Sequence, residues 1–449
     1  VTARGWLGFV LLILLVGLGG LVWVRAEGSA PGIHAPASLV VGGPGRDVEL
    51  ELTDEGAGLR EIHVTLQHAD GESVLVDERF AGNLATGGGP EGAARRVQLR
   101  IDPEALGLPD GDAFLRVVAT DWSWRGGFGG NASEVAIPLA IDRKKPKIRI
   151  DTGLTYVHRG GSGAVAYAVS EPTARDGVAV GDAFFRGFPD PDSATRRVAL
   201  YAVPTDSPPK PAVQVVAEDA AGNVATARWP VVVRERALPD ANVTLPQSFL
   251  DLIVRDLADA NGIGTSDLSA AFREINTDVR RMNEEQVREI TAQSAPRQLW
   301  VGPFEQLVNS KVTSRFSEHR SYFIDGEKNS EAIHFGYDLA STAAVPITAA
   351  NTGRVVYADD LGIYGNCVVI DHGLGLATLY GHLSRIDVGA GDEVAKGDPL
   401  GLSGATGLAG GDHLHFAILV GGTYVEPLEW WDPAWVRTHI EARLEPSKR

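Results

Sequence analysis

Residues 410–416 read GGDHLHF, two histidines two positions apart behind a glycine pair, with Leu414 between them. In a β-strand the side chains at i and i+2 leave the same face, so His413 and His415 project together while Leu414 points to the opposite, packed face. The stretch therefore reads as a strand that presents two imidazoles to one cavity wall. Taken alone, such a pair fits an exposed face, a satisfied core pair, or a place for a metal or for proton transfer. Six of the eleven histidines fall between His319 and His415, where glycine turns are densest.

Two neighbouring motifs narrow the reading. HFGYDLA, residues 334–340, sets His334 and Asp338 four apart around Gly336, a context that argues against a helix. A bend at Gly336 would bring both onto one centre. Zinc accepts imidazole nitrogen and carboxylate oxygen, and a catalytic zinc takes three protein ligands and leaves a fourth position to water. His334, Asp338 and one of the 413/415 pair meet that count. LYGHLS, residues 379–384, brings His382 on a strand of its own, and a histidine not used as a ligand can act as general acid or base near neutral pH. His372, in IDHGLG, is placed in a hairpin turn and read as structural.

Around these motifs, GRVVYA, NCVVIDHG, ATLYGHLS and DEVAKGDPLGLSG read as short strands between glycine turns, predicting a mostly antiparallel β domain over 299–430 and an aromatic tail over 431–449. Upstream, 236–298 turns helical. SFLDLIVRDLADA places Phe249, Leu250, Ile253 and Leu257 on one face, and NEEQVREITAQS predicts a helix capped by Asn283 with Gln286 three residues on.

Nearer the N-terminus the apolar period drops to two, as in Val48/Leu50/Leu52, Ile62/Val64/Leu66 and Val97/Leu99/Ile101, the mark of half-buried strands. VVATD at 117–121 and VVAED at 215–219 each precede a Gly-Asn pair and lie 98 residues apart. That period predicts tandem β-sandwiches over 36–142 and 143–235, which resemble bacterial immunoglobulin-like modules and are read mainly as spacers, with contacts to envelope proteins as an alternative role. GWLGFVLLILLVGLGGLVWV, from Gly5 to Val24, is twenty residues without a charge, enough to cross a hydrocarbon core of roughly 30 Å. With Arg25 directly after it and no good small-x-small cleavage site, residues 1–27 read as an uncleaved anchor rather than a signal peptide. The fold expected is thus mainly β and multidomain: a transmembrane helix, two sandwiches, a short helical segment and an antiparallel β domain.

Across 449 residues, 41 basic against 58 acidic side chains give a formal charge of −17, which argues against a nucleic-acid partner. One cysteine, Cys367, makes neither an intramolecular disulfide nor a thiolate zinc cluster, so a zinc site has to come from histidine and carboxylate.

Over residues 300 to 430 the sequence resembles the lysostaphin and LytM-like zinc metallopeptidases that cleave peptidoglycan. The resemblance is carried by HFGYD, LYGHLS and SGATGLAGGDHLHF in that order, with Asp412 standing where a proline is common and a longer approach to His334 over 314–333. It implies one zinc ion held by His334, Asp338 and His415, with His382 and His413 as the catalytic pair, one taking the proton of the attacking water and the other bonding the oxyanion. Val369 to Asp371 and the GATGLAGG loop are expected to wall the groove, and the helices and the 317–333 insertion could cover it. The function implied is a zinc endopeptidase cleaving peptidoglycan stem peptides or cross-links; with the apolar anchor it is expected at the inner membrane, single-pass, with the bulk of the chain in the periplasm or outside. The alternative is a silent relative that activates other cell-wall hydrolases. All five positions are filled, which favours activity.

Overall fold

Ala3–Arg25 form one unbroken helix of leucine, valine, glycine and aromatic residues, and its apolar side chains are exposed. Among the described residues it is the one helix long and apolar enough to cross a membrane. The structure, a computed structural model, describes residues 3–89 and 92–445. Residues 1–2 of the expected anchor, 90–91 of the first expected sandwich and 446–449 of the expected tail lie outside that range.

The chain divides into two compact units. The first holds residues up to Lys145 together with Glu218–Val224. Its strands follow the predicted alternation: Val48, Leu50 and Leu52, like Ile62, Val64 and Leu66, all face inward. A three-stranded sheet (Gly32–His34, Arg46–Thr53, Ala94–Ile101) and a five-stranded sheet (Leu39–Val41, Ala132–Ile141, Gly111–Asp121, Leu59–His68, Gly71–Arg79) share one core. Pairing within them is antiparallel except for Leu39–Val41, which runs parallel to Ala132–Ile141. Each fully buried Leu, Ile or Val there contributes about 1.5–3 kcal/mol relative to exposure.

The second unit takes Pro146–Ala217 and the chain from Ala225 onward. Ser162–Val169 pairs antiparallel with Ser193–Ala202; the first is buried along nearly its whole length and the second over Val198–Ala202, so these stretches are covered on both faces. Val165, Tyr167 and Tyr201 belong to the same hydrophobic cluster as Leu379, Phe416 and Trp430. Polar contacts close that junction. The Trp430 indole donates to Ser162 Oγ at 3.0 Å, the Ser162 amide to Glu429 Oε2 at 3.0 Å, and Arg196 to the Leu444 carbonyl at 2.7 Å. The aromatic segment after residue 431 is accordingly helical, with Val436 and Ile440 buried.

Two helical runs, from Gln247 to Ala260 and from Leu268 to Ile290, each contain a π-helical stretch. The expected cap at Asn283 is corrected here. The second run starts fifteen residues earlier at Leu268, capped by Asp267, whose carboxylate accepts from the amides of Ser269 and Ala270. Asn283 sits mid-helix because its Oδ1 has a tertiary partner, the Ile363 amide at 2.9 Å.

Beyond residue 311 an antiparallel sheet runs in the order Lys311–Ser314, Tyr337–Ala340, Leu414–Val420, Leu376–Leu383, Asn366–Gly373, Gly353–Asp360, Glu393–Val394, with Thr423–Val425 also on Leu414–Val420. A second sheet forms from Asp240–Thr244, Glu318–Ile324 and Glu327–His334, the first pair parallel and the second antiparallel. The 317–333 insertion is therefore a hairpin stitched to the chain just before the first helical run.

Candidate metal centre

Strand register assembles the site. Leu414–Val420 lies between two neighbours, with Asp338 directly opposite His415 on one side and Gly381 opposite it on the other. Directly opposed residues share a face, so Asp338 and His415 meet while Gly381 leaves that position without a side chain. His334 ends the Glu327–His334 strand, and the Phe335–Gly336 step turns the chain into Tyr337–Ala340. Gly336 is required by close approach, since a Cβ there would come within 2.6 Å of the His415 ring.

His334 Nε2 lies 2.9 Å from Asp338 Oδ1 and 3.1 Å from His415 Nδ1, and His415 Nδ1 lies 3.0 Å from Asp338 Oδ1. All three residues are buried. His334 Nδ1 faces the Arg315 carbonyl at 3.0 Å and can only donate to it, so in the neutral ring Nε2 carries a lone pair towards the carboxylate. Three electron-pair donors thus face one another. A triangle of that size has its corners ~1.7 Å from its centre, a spacing compatible with the ~2.0–2.2 Å that zinc takes to imidazole nitrogen and carboxylate oxygen. The donor set and its spacing fit the metal. His415 Nε2 is buried without a hydrogen-bond partner.

Asp338 Oδ2 is occupied from outside the triangle by Arg320 at 2.9 Å, whose Nε also bonds Glu318 Oε1 at 2.9 Å. Burial opposes ionisation of Asp338, but the neighbouring histidines outweigh it and hold its carboxyl well below the usual range. Arg320 went unnoticed in sequence. Its only signal was the i, i+2 alternation of Glu318, Arg320 and Tyr322, which puts a charged pair and a phenol on one face of a strand.

His382 and His413 flank the triangle. Their rings are 4.7 Å apart, and His382 is 5.8 Å from His415. His382 adopts φ of +64°, which breaks the alternation of its strand and turns its ring into the cleft instead of the opposite face. Its Nδ1 donates to the Thr406 carbonyl at 2.8 Å and that of His413 to the Gly411 carbonyl at 2.8 Å, so both present Nε2 to the site. His413 Nε2 is 3.6 Å from Asp338 Oδ1. Burial, then the charges of His413 and His415, push His382 down to about 3, and burial leads in pushing His415 down to about 4. Burial also opposes charge on His413, yet Asp338 prevails and moves it up.

The five histidine and aspartate positions singled out in the sequence thus come together on one cleft of ≈ 590 Å³. One wall is the Ala405–Gly411 loop, held by Asp412, which accepts from the Ala344 amide and from Ser403 Oγ. The facing wall corrects an expectation. Val369 and Ile370 are fully buried, and Asp371 bonds Ser294 and the Ala295 amide, so none of them reaches the groove. The start of the first helical run stands there instead, with Phe249, Leu252 and Ile253 beside Tyr322 of the hairpin. Phe249 approaches Gly410 across the cleft. Two further histidines lie elsewhere. His319 is half-buried against Asp240 and Glu331, and His372 is at the end of a strand, not in a turn, fully buried between the Thr352 carbonyl and Thr378 Oγ1.

Residues 332–427, which contain all five positions, match Peptidase family M23. Over 124 residues the chain is 33% identical to the DD-carboxypeptidase/endopeptidase Mpg of Neisseria meningitidis serogroup B, covering 28% of each chain. It is 35% identical over 119 residues to the peptidoglycan DD-endopeptidase ShyA of Vibrio cholerae, covering 26% of this chain and 27% of that one. Among solved structures, the catalytic domain of lysostaphin from Staphylococcus simulans is 29% identical, with 27% of this chain and 92% of that one covered and a TM-score of 0.24. The chain spans little more than a quarter of the length of these two curated relatives.

Proposed function

We propose that this chain, whose C-terminal part is a peptidase M23 domain, is a zinc endopeptidase of peptidoglycan held at a membrane by the Ala3–Arg25 helix. The observation that carries the reading is the triangle of His334 Nε2, Asp338 Oδ1 and His415 Nδ1, three lone-pair donors packed against one another with Arg320 fixing the far carboxylate oxygen. Those three residues would hold the metal. When bound, zinc supplies Lewis-acid polarisation of the scissile carbonyl and of the attacking water. His382 and His413 present their Nε2 atoms to the same cleft, where one takes the proton of the water and the other bonds the developing oxyanion. The glycine-rich 404–411 loop lets an extended peptide approach the backbone. The name of the Vibrio cholerae relative supports peptidoglycan as substrate, that of the Neisseria relative supports peptidase chemistry, and the exposed apolar helix supports action from the inner-membrane surface, in the periplasm.

The test uses the full chain in detergent, measuring zinc content and release of soluble muropeptides from purified sacculi. Wild type is expected to hold one zinc and cleave. His382→Ala should keep zinc and lose cleavage, and His415→Ala should lose both, with cleavage down at least ~10³-fold. A zinc-loaded wild type that leaves sacculi intact would instead favour the non-hydrolytic activator. Equal cleavage by His382→Ala would remove that residue from the reaction.

A further inference from the structure

Glu27, Asp54 and Asp121, all in the first unit, each offer an oxygen within 4.8 Å of the other two. Asp54 and Asp121 are buried and Glu27 is half-buried. Asp54 uses Oδ1 to accept from the amides of Gly56 and Gly58, at 2.9 Å each. Its Oδ2 is buried and has no partner, in a side chain only 6% exposed. Burial, and after the two amide bonds the charges of Asp121 and Glu27, act on its carboxyl, and the net direction is up. The nearby Arg25 does not neutralise the group, because its guanidinium donates to the carbonyls of Leu84 and Trp122. A buried carboxylate oxygen with no donor, facing two more carboxylates, is costly unless a cation joins it.

We propose that Glu27, Asp54 and Asp121 form a calcium site that fastens the segment leaving the N-terminal helix to the first β unit. The ligand set is all oxygen, which suits a hard cation of six to eight ligands and not the imidazole-rich chemistry of the His334 centre. Magnesium, which keeps most of its waters, gains less from a buried three-carboxylate site. The surrounding hydrogen bonds already gather the ligands. Asn131 Nδ2 donates to Asp121 Oδ2 at 2.8 Å, to the Glu27 carbonyl at 3.2 Å and to the Ser29 carbonyl at 3.0 Å, and Ser123 Oγ donates to the Glu27 carbonyl at 2.9 Å. Glu27 lies two residues beyond the helix end at Arg25, so a bound ion adds a further tie between the helix exit and the first β unit. The second copy of the sequence repeat makes the same side-chain bonds across a shorter loop. Asn223 Nδ2 donates to Asp219 Oδ2 at 2.8 Å and to the Asp142 carbonyl at 2.7 Å.

Full-length protein in detergent, already loaded with zinc so that the histidine centre is filled, is titrated with calcium chloride by calorimetry, and its thermal unfolding is followed with and without calcium. Wild type is expected to bind one calcium with Kd of roughly 10⁻⁴–10⁻³ M, the range of extracellular modules, and to unfold at a higher temperature in its presence. Glu55→Gln, an exposed neighbour, should match it. Asp54→Asn keeps an oxygen for the Gly56 and Gly58 amides while removing one of three repelling charges. It should therefore be at least as stable as wild type in calcium-free buffer, yet bind calcium at least ~10-fold more weakly and lose the calcium-induced shift. Glu27→Gln should weaken binding in the same direction. The proposal is overturned by absence of wild-type binding up to ~10 mM, an order of magnitude above the expected range. Unaltered affinity in Asp54→Asn would overturn it as well, and so would an Asp54→Asn protein less stable than wild type without calcium, which would mark the carboxylate as purely structural.

Discussion

The two β regions that precede the helices carry the same repeat, VVATD and VVAED with a Gly-Asn behind each, and similar alternation, yet their cores differ. The first closes on itself, with Leu50, Leu52, Ile62, Leu115 and Val117 in a cluster of its own. In the second, the Ser162–Val169 strand is buried on both faces, and Val165, Tyr167 and Tyr201 continue into the cluster that supports the His415 strand. A repeated strand pattern therefore specifies a sheet but not what covers its second face. The second region thus belongs mostly to the unit that holds the candidate metal centre.

That contrast can be broken by cutting each core separately. Trp430→Ala removes a fully buried indole at the junction, where it stacks edge-on with Trp300 and Phe304 and bonds Ser162. It should cost the second unit about 3–5 kcal/mol and take peptidase activity with it. Leu50→Ala should cost about 2–5 kcal/mol in the first unit alone, leaving activity per folded molecule unchanged. Calorimetry on the full chain reads both as separate shifts of two transitions. A single transition that moves equally in the two variants would show that the units do not fold independently.

A smaller effect sharpens the comparison by pH. His372 lies in the second unit alone, and burial pushes it down to about 4 from its usual 6.5. Between those values the unfolded chain binds a proton that the folded chain refuses, so this contribution is complete above pH 6.5 and is lost as pH falls towards 4, at most roughly 3 kcal/mol. Urea unfolding of the second unit at pH 7 and pH 4.5 should show that loss in wild type, and a lesser one in His372→Gln. An identical pH dependence in both would remove His372 as its source. Smallest is Arg320→Gln, which frees Asp338 Oδ2. It should lower zinc affinity about 10- to 100-fold, measured by competition with a chelator, with the first unit's transition unmoved.

Much of the centre was legible because its residues sit in short motifs. His334 and Asp338 are four apart around a bend at Gly336, and His413 and His415 are two apart. What those motifs could not convey was the second layer. Arg320 reaches Asp338 from a hairpin that the sequence displays only as a longer approach, and Phe249 reaches the cleft from a helix whose apolar stripe reads as ordinary core. Asn283 looked like a cap because capping is a local preference, whereas its partner, Ile363, is eighty residues away.

The amino-acid sequence by itself determined many of the strand faces, the apolar helix and which residues to look for at a candidate metal centre, because period, charge and ligand chemistry are properties of neighbours along the chain. Tertiary structure alone decided that Asp338, His415 and Gly381 stand in one row, that a left-handed φ swings His382 into the cleft, and that the second β region shares its core with the peptidase strands. Each of these depends on strand register or on the burial of a second face, and both are set by contacts between segments far apart in the chain.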